Sequence, residues 1–95
     1  FSVKNDLCLQ CKSWTDIAKV DKKVMLSSLQ KLDDDNIDAL IQVGTNLPMA
    51  SFAEEFEKSF QKPIIPINTA TYWDALRQND IPDKVKGFGK LLSEY

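Results

Sequence analysis

Histidine is absent from this chain. That removes the Ser/His and Cys/His catalytic pairs and the common zinc sites from within it. Nor is there an apolar run long enough to cross a bilayer, so no membrane partner is expected. Basic residues do not outnumber acidic ones: the formal net charge is −2, with both signs interspersed. A nucleic-acid interface needs a basic patch, and none is written here. Cysteine is limited to two residues, Cys8 and Cys11. Their C-x-x-C spacing suits a redox pair or half a metal site. A thioredoxin-type pair should open a helix directly behind a strong strand, and a metal site needs further ligands; neither context is present. Two ordinary thiols are expected, with no metal site.

The residues that are present describe a soluble globular composition, 43% hydrophobic and 27% charged. Ninety-five residues suffice for a single small domain, residues 1–95. The chain opens on Phe1 rather than Met, and it is expected to be a piece of something longer.

The stretch Ile37–Met49, IDALIQVGTNLPM, organises the chain. Ile37, Ala39, Leu40, Ile41 and Val43 form a short apolar run. Such a run, bounded by turn residues, predicts a strand buried on both faces of a parallel sheet. Gly44 allows a sharp turn and a close approach to the backbone. Thr45 and Asn46 are suited to cap the helix that follows, whose free N–H groups would then face a ligand above the strand end. On the local pattern alone, a plain turn with a cap is favoured over a ligand site.

Around this centre the spacing predicts alternating elements. Phe1-Ser2-Val3 suits the end of a first strand. Asp21 is placed to cap a helix over Lys22–Leu32, which Asp33-Asp34-Asp35-Asn36 ends. These aspartates lack the Asp-x-Asp-x-Asp-Gly spacing of a calcium loop, so a solvated turn is expected. Beyond Pro48, the residues Met49, Phe52, Ala53, Phe56 and Phe60 form one apolar helical face. Glu54, Glu55, Glu57 and Lys58 lie off that stripe and are assigned to its wet side. Pro63–Ile67 predicts another strand, with Pro66 marking an edge or a free end. Asn68 or Thr69 then caps a helix carrying Ala70, Trp73, Leu76 and Arg77. A short terminal helix follows Gly87-Phe88-Gly89. Strands separated by helices imply a doubly wound α/β fold, a parallel sheet with helices on both faces.

Three segments, in this order and spacing, resemble the Asp/Glu racemase superfamily, in particular its maleate isomerase and arylmalonate decarboxylase branch. They are ALIQVGTNL (39–47), KPIIPINTATYWDALR (62–77) and GFGKLL (87–92). The resemblance implies one half, the carboxy-terminal one, of a two-half pseudo-symmetric enzyme that needs no cofactor and acts on small carboxylic acids. It implies that the missing amino-terminal half of the same protein is a partner, with a homo-oligomer and a cytoplasmic location compatible. Many relatives carry a cysteine directly ahead of the Thr-Asn pair; here that position is Gly44, which can neither donate a proton nor attack. The resemblance therefore implies an anion-binding turn at Gly44, Thr45 and Asn46, with Asn68 on the same rim, and a reactive thiol supplied from elsewhere. A one-thiol isomerase or decarboxylase fits this better than a two-thiol racemase. A non-catalytic binding or regulatory module on the same fold is the alternative.

Overall fold

Asp21 begins the first long helix as its sequence demands. In the computed structural model, which describes residues 1–95, helix α2 spans Lys22–Leu32, and the Asp21 carboxylate accepts from the Val24 backbone N–H at 2.9 Å. A shorter helix, α1 (Trp14–Ala18), precedes it and was not anticipated; its Ser13 side chain accepts from the Asp16 N–H at 3.2 Å. Met25 and Leu29, four residues apart on one face of α2, are buried. The helix stops at Asp33, whose backbone is extended. Lys62 Nζ then donates to Asp33 Oδ1 and to the Asp34 carbonyl, each at 2.6 Å, pinning this corner. Beside it the backbone N–H and the side-chain amide of Asn36 both donate to Asp34, holding its carboxyl below the usual carboxylate range. The aspartate run is thus a hydrogen-bonded turn.

Because Asp21 satisfies one of the orphan N–H groups of α2, Asp21→Ala is expected to cost about 1 kcal/mol. The urea midpoint should fall while the slope of the transition stays unchanged.

Two parallel strands follow, β1 (Leu40–Gln42) and β2 (Ile64–Pro66), paired Leu40 to Ile64, Ile41 to Ile65 and Gln42 to Pro66. Between them run a single 3₁₀ turn (Ala50–Phe52) and α3 (Ala53–Phe60). Helix α4 (Ile67–Gln78) leaves β2 without a loop, and α5 (Lys90–Glu94) closes the chain. The core joins Met25 and Leu29 to Leu40 and Ile64 of the sheet and to Leu47, Met49 and Phe56. The apolar stripe of α3 is where its spacing places it: Ala53 and Phe56 are buried, and Phe52 and Phe60 pack against the core.

The parallel α/β architecture matches expectation, and four local expectations are corrected. Phe1–Val3 forms no strand and is exposed, since the sheet has only two strands. The first strand is not buried on both faces: Leu40 and Gln42 point into the core, while Ile41 is 55% and Val43 75% exposed. Asn68 and Thr69 do not cap α4; they lie inside its first turn, with Pro66 at the cap position. Glu57 is not on a wet face but is 7% exposed. Its Oε1 accepts from the Ile64 N–H at 3.2 Å and its Oε2 from the Lys90 N–H at 2.9 Å, so one carboxylate ties α3 to β2 and α5.

The last part of the chain is held by Arg77. Its guanidinium donates to the carbonyls of Ile81 (2.7 Å), Asp83 (3.3 Å) and Tyr95 (3.0 Å), and it lies 5.9 Å from the Trp73 ring centroid. Trp73 and Arg77, four apart on α4, thus share one face. No helix is long and apolar enough to cross a membrane.

Candidate functional site

Residues 44–47 close a tight turn at the carboxyl end of β1. The Leu47 N–H donates to the Gly44 carbonyl at 3.1 Å, and the Met49 N–H to the Leu47 carbonyl at 2.8 Å. Leu47 and Met49 are buried, which anchors the far side of the turn in the core. From below, the Gln42 side-chain amide also donates to the Gly44 carbonyl. Gln42 is 9% exposed, and its own carbonyl oxygen has no partner. A strand end that reads as apolar therefore supports its turn through a buried polar side chain.

The turn does not cap the following helix. The helical backbone starts at Ala50 with Met49 at the cap position, and no side-chain hydrogen bond is made there. Thr45 and Asn46 lie several residues upstream and are exposed. The expected capping role fails because Pro48 and the bond from Met49 to Leu47 interpose another tight bend before the chain turns helical. The Thr45 hydroxyl and the Asn46 amide are consequently presented to solvent at the strand end.

Gly44 is not glycine for conformational reasons. Only Gly87 and Gly89 have positive φ among the glycines. A Cβ at position 44 would meet one neighbour, the Gln42 Nε2, at 3.3 Å. That contact is tight, but it falls on the end of a side chain rather than on backbone. The backbone at this position accommodates a residue with a side chain.

Asn68 is the one sequence-singled residue outside the turn, and the structure brings it there. Its Nδ2 donates to the Thr45 carbonyl at 2.9 Å across 23 positions of sequence. This joins the carboxyl ends of β1 and β2 on a single rim, where open α/β sheets place their ligands. An asparagine amide has two N–H donors and one acceptor. One donor braces the turn; the remaining N–H and the carbonyl are exposed with the rest of the side chain. Sequence reasoning missed Gln42, whose only signal was a polar residue inside an apolar run.

Cys8 and Cys11 are free, the first exposed and the second half-buried. They belong to the irregular segment ahead of α1 and have no motif relation to the turn. No group of three or more His, Cys, Asp or Glu residues is placed to hold a metal ion.

With this geometry in place, comparison with known proteins gives a consistent result. No protein-family model matches the chain. It is 26% identical to the maleate isomerase of Nocardia farcinica over 95 residues, 99% of this chain and 38% of that protein. It also matches a solved structure with a TM-score of 0.85 at 26% identity, covering 92% of this chain and 36% of the other. That structure is a cysteine-to-serine variant of Nocardia farcinica maleate cis-trans isomerase with a covalently bound succinylcysteine intermediate. The chain therefore spans little more than a third of the length of the relatives it matches. It is homologous to a maleate isomerase, and the resemblance to the Asp/Glu racemase superfamily is borne out.

Proposed function

We propose that these residues are part of a cofactor-independent isomerase acting on a small carboxylate of the maleate type. The rim formed by Gly44, Thr45, Asn46 and Asn68 would hold the substrate's carboxylate. The observation that carries this is the Asn68 to Thr45 hydrogen bond, which assembles donors from two strand ends into one polar edge. The chemistry that such an edge serves is specific. A thiolate adding to one alkene carbon of maleate turns the double bond into a single bond. The electron pair it displaces moves onto the carboxylate attached to the other carbon. Rotation and expulsion of the thiolate then give the trans isomer. The charge that builds up on that carboxylate is greatest in the intermediate, so fixed hydrogen-bond donors beside it lower the barrier.

With glycine at position 44, the attacking thiol has to come from outside the turn. The exposed Ile41 and Val43 side of the sheet supports the same view. Two apolar side chains at the end of a strand are expected to be covered in a longer protein, where the rest of the site would sit. Decarboxylation is the second reaction open to this arrangement, because it passes through a similarly charged intermediate. A non-catalytic binding module is supported by Gly44 itself.

The deciding experiment follows maleate with the natural full chain by proton NMR. Formation of fumarate at a rate proportional to protein is the expected result. Loss of carbon dioxide from a malonate in the absence of fumarate formation would move the assignment to the decarboxylases. Saturable carboxylate binding without turnover of either compound would leave the binding module.

A further inference from the structure

The Gly44 carbonyl is held from the inner side of its turn. Its donors are the Leu47 N–H and the Gln42 side-chain amide, and both residues are buried. The peptide joining Gly44 to Thr45 is trans, so its C=O and N–H point in opposite directions. A carbonyl held toward the core therefore turns the Thr45 N–H outward, and no backbone carbonyl accepts from it. We propose that Gln42 is a positioning residue: its amide locks the Gly44–Thr45 peptide so that the Thr45 N–H is left free to donate to an anion at the strand end. That the anion is a substrate carboxylate rests on the isomerase reading; the lock itself does not.

The choice of residue at position 42 supports this role. Leu40 and Gln42 both point into the core from β1, where an apolar side chain would pack without penalty. Gln42 is instead buried with its own carbonyl oxygen unpartnered, an arrangement that costs stability. What it adds is reach to the turn and an N–H donor, and only the NH₂ of an amide can face a carbonyl. The Leu47 contact alone is a weak restraint, since many turns lack the bond between their first and fourth residues altogether. Asn68 holds the next peptide through the Thr45 carbonyl at 2.9 Å. Thr45 is thus fixed on both sides, by Gln42 through the peptide before it and by Asn68 through the peptide after it.

The test compares the natural full chain with Gln42→Met, which keeps an unbranched side chain and removes donor and acceptor together. Its thermal midpoint is expected to hold, because the unpaired buried carbonyl goes with the lost bond. Residual dipolar couplings measured by NMR report the direction of each N–H. The Thr45 coupling is expected to collapse toward zero in Gln42→Met, with those of Leu40 and Ile64 unchanged. Succinate is the probe, since it has the two carboxylates of maleate and no double bond for a thiol to attack. It should shift the Thr45 amide saturably in the native chain and bind about tenfold more weakly to Gln42→Met, as befits one misaligned hydrogen bond. Saturating succinate should restore the Thr45 coupling of the native complex, because the anion then holds the N–H; general damage to the turn would not be reversed. A native Thr45 coupling in ligand-free Gln42→Met overturns the proposal. So does native succinate affinity beside an altered coupling, or a coupling that succinate fails to restore. Absence of succinate binding at Thr45 in the native chain overturns the carboxylate reading of the rim, and the ligand-free coupling still decides the lock.

Discussion

Glu57→Ala is expected to destabilise the fold by about 2–5 kcal/mol, since two backbone N–H groups lose a charged acceptor together. The Glu57 carboxylate is the common acceptor for Ile64 of β2 and Lys90 of α5. Alanine leaves both donors without their partner, the Ile64 N–H in a buried position and the Lys90 N–H in a partly buried one. A domain of this size holds only about 5–15 kcal/mol in total, so the loss is a large share. Glu57→Gln separates charge from shape. Its carbonyl can still serve one donor, but its NH₂ then faces the other, and an intermediate loss is expected. Gly89 shows how tightly the carboxylate is enclosed: a Cβ there would lie 3.1 Å from Oε1, and φ at Gly89 is +93°. Urea unfolding gives the energies, and hydrogen exchange at the Lys90 amide reports whether α5 detaches first. An alanine variant within about 1 kcal/mol of the native chain would show that water takes over both bonds.

Glu57 also marks the boundary of what the sequence discloses. The helical stripe Met49, Ala53, Phe56 and the Asp21 cap are local, since each is defined by residues within one or two turns of one another. The α2 boundaries and the buried face of α3 were legible for that reason. Glu57 lies off the apolar stripe, and its partners are 7 and 33 positions away. Nothing in its neighbourhood distinguishes it from Glu54 and Glu55, which stay at the surface or near it. The strand Leu40–Gln42 fails in the opposite sense. Its apolar run is consistent with two covered faces, yet Ile41 and Val43 are open. Strand periodicity records which side chains need cover, not which element provides it. The rim was legible in part. A glycine-threonine-asparagine turn behind an apolar run identified one strand end, and Asn68 the other. Their contact is a tertiary fact, made by one side-chain amide.

On the proposed isomerase reading, Asn68→Ala is expected to lower kcat/KM for a maleate-type carboxylate by about a hundredfold while leaving the fold nearly untouched. Asn68 is exposed, and its bond to the Thr45 carbonyl is a single neutral one, so its removal costs about 1 kcal/mol of stability at most. On that reading catalysis is more demanding, because donors on the turn would have to stay aligned with a carboxylate whose charge is developing. Loss of the brace frees the Thr45 carbonyl and lets the turn drift, and a displacement on the order of 1 Å is enough for that loss of rate. Thr45→Val provides the partner measurement, since it removes a hydroxyl and keeps the brace. If the Thr45 hydroxyl holds the carboxylate equally in the bound substrate and the transition state, KM rises and kcat stays. If it meets charge that exists only after thiolate addition, kcat falls and KM barely moves. Asn68→Ala should follow the same pattern as Thr45→Val, because both side chains are proposed to hold the carboxylate from one rim. Opposite patterns in the two variants would mean that Asn68 acts only by bracing the turn or meets the carboxylate at a different stage from Thr45. Native kinetics in both would place the substrate away from this rim.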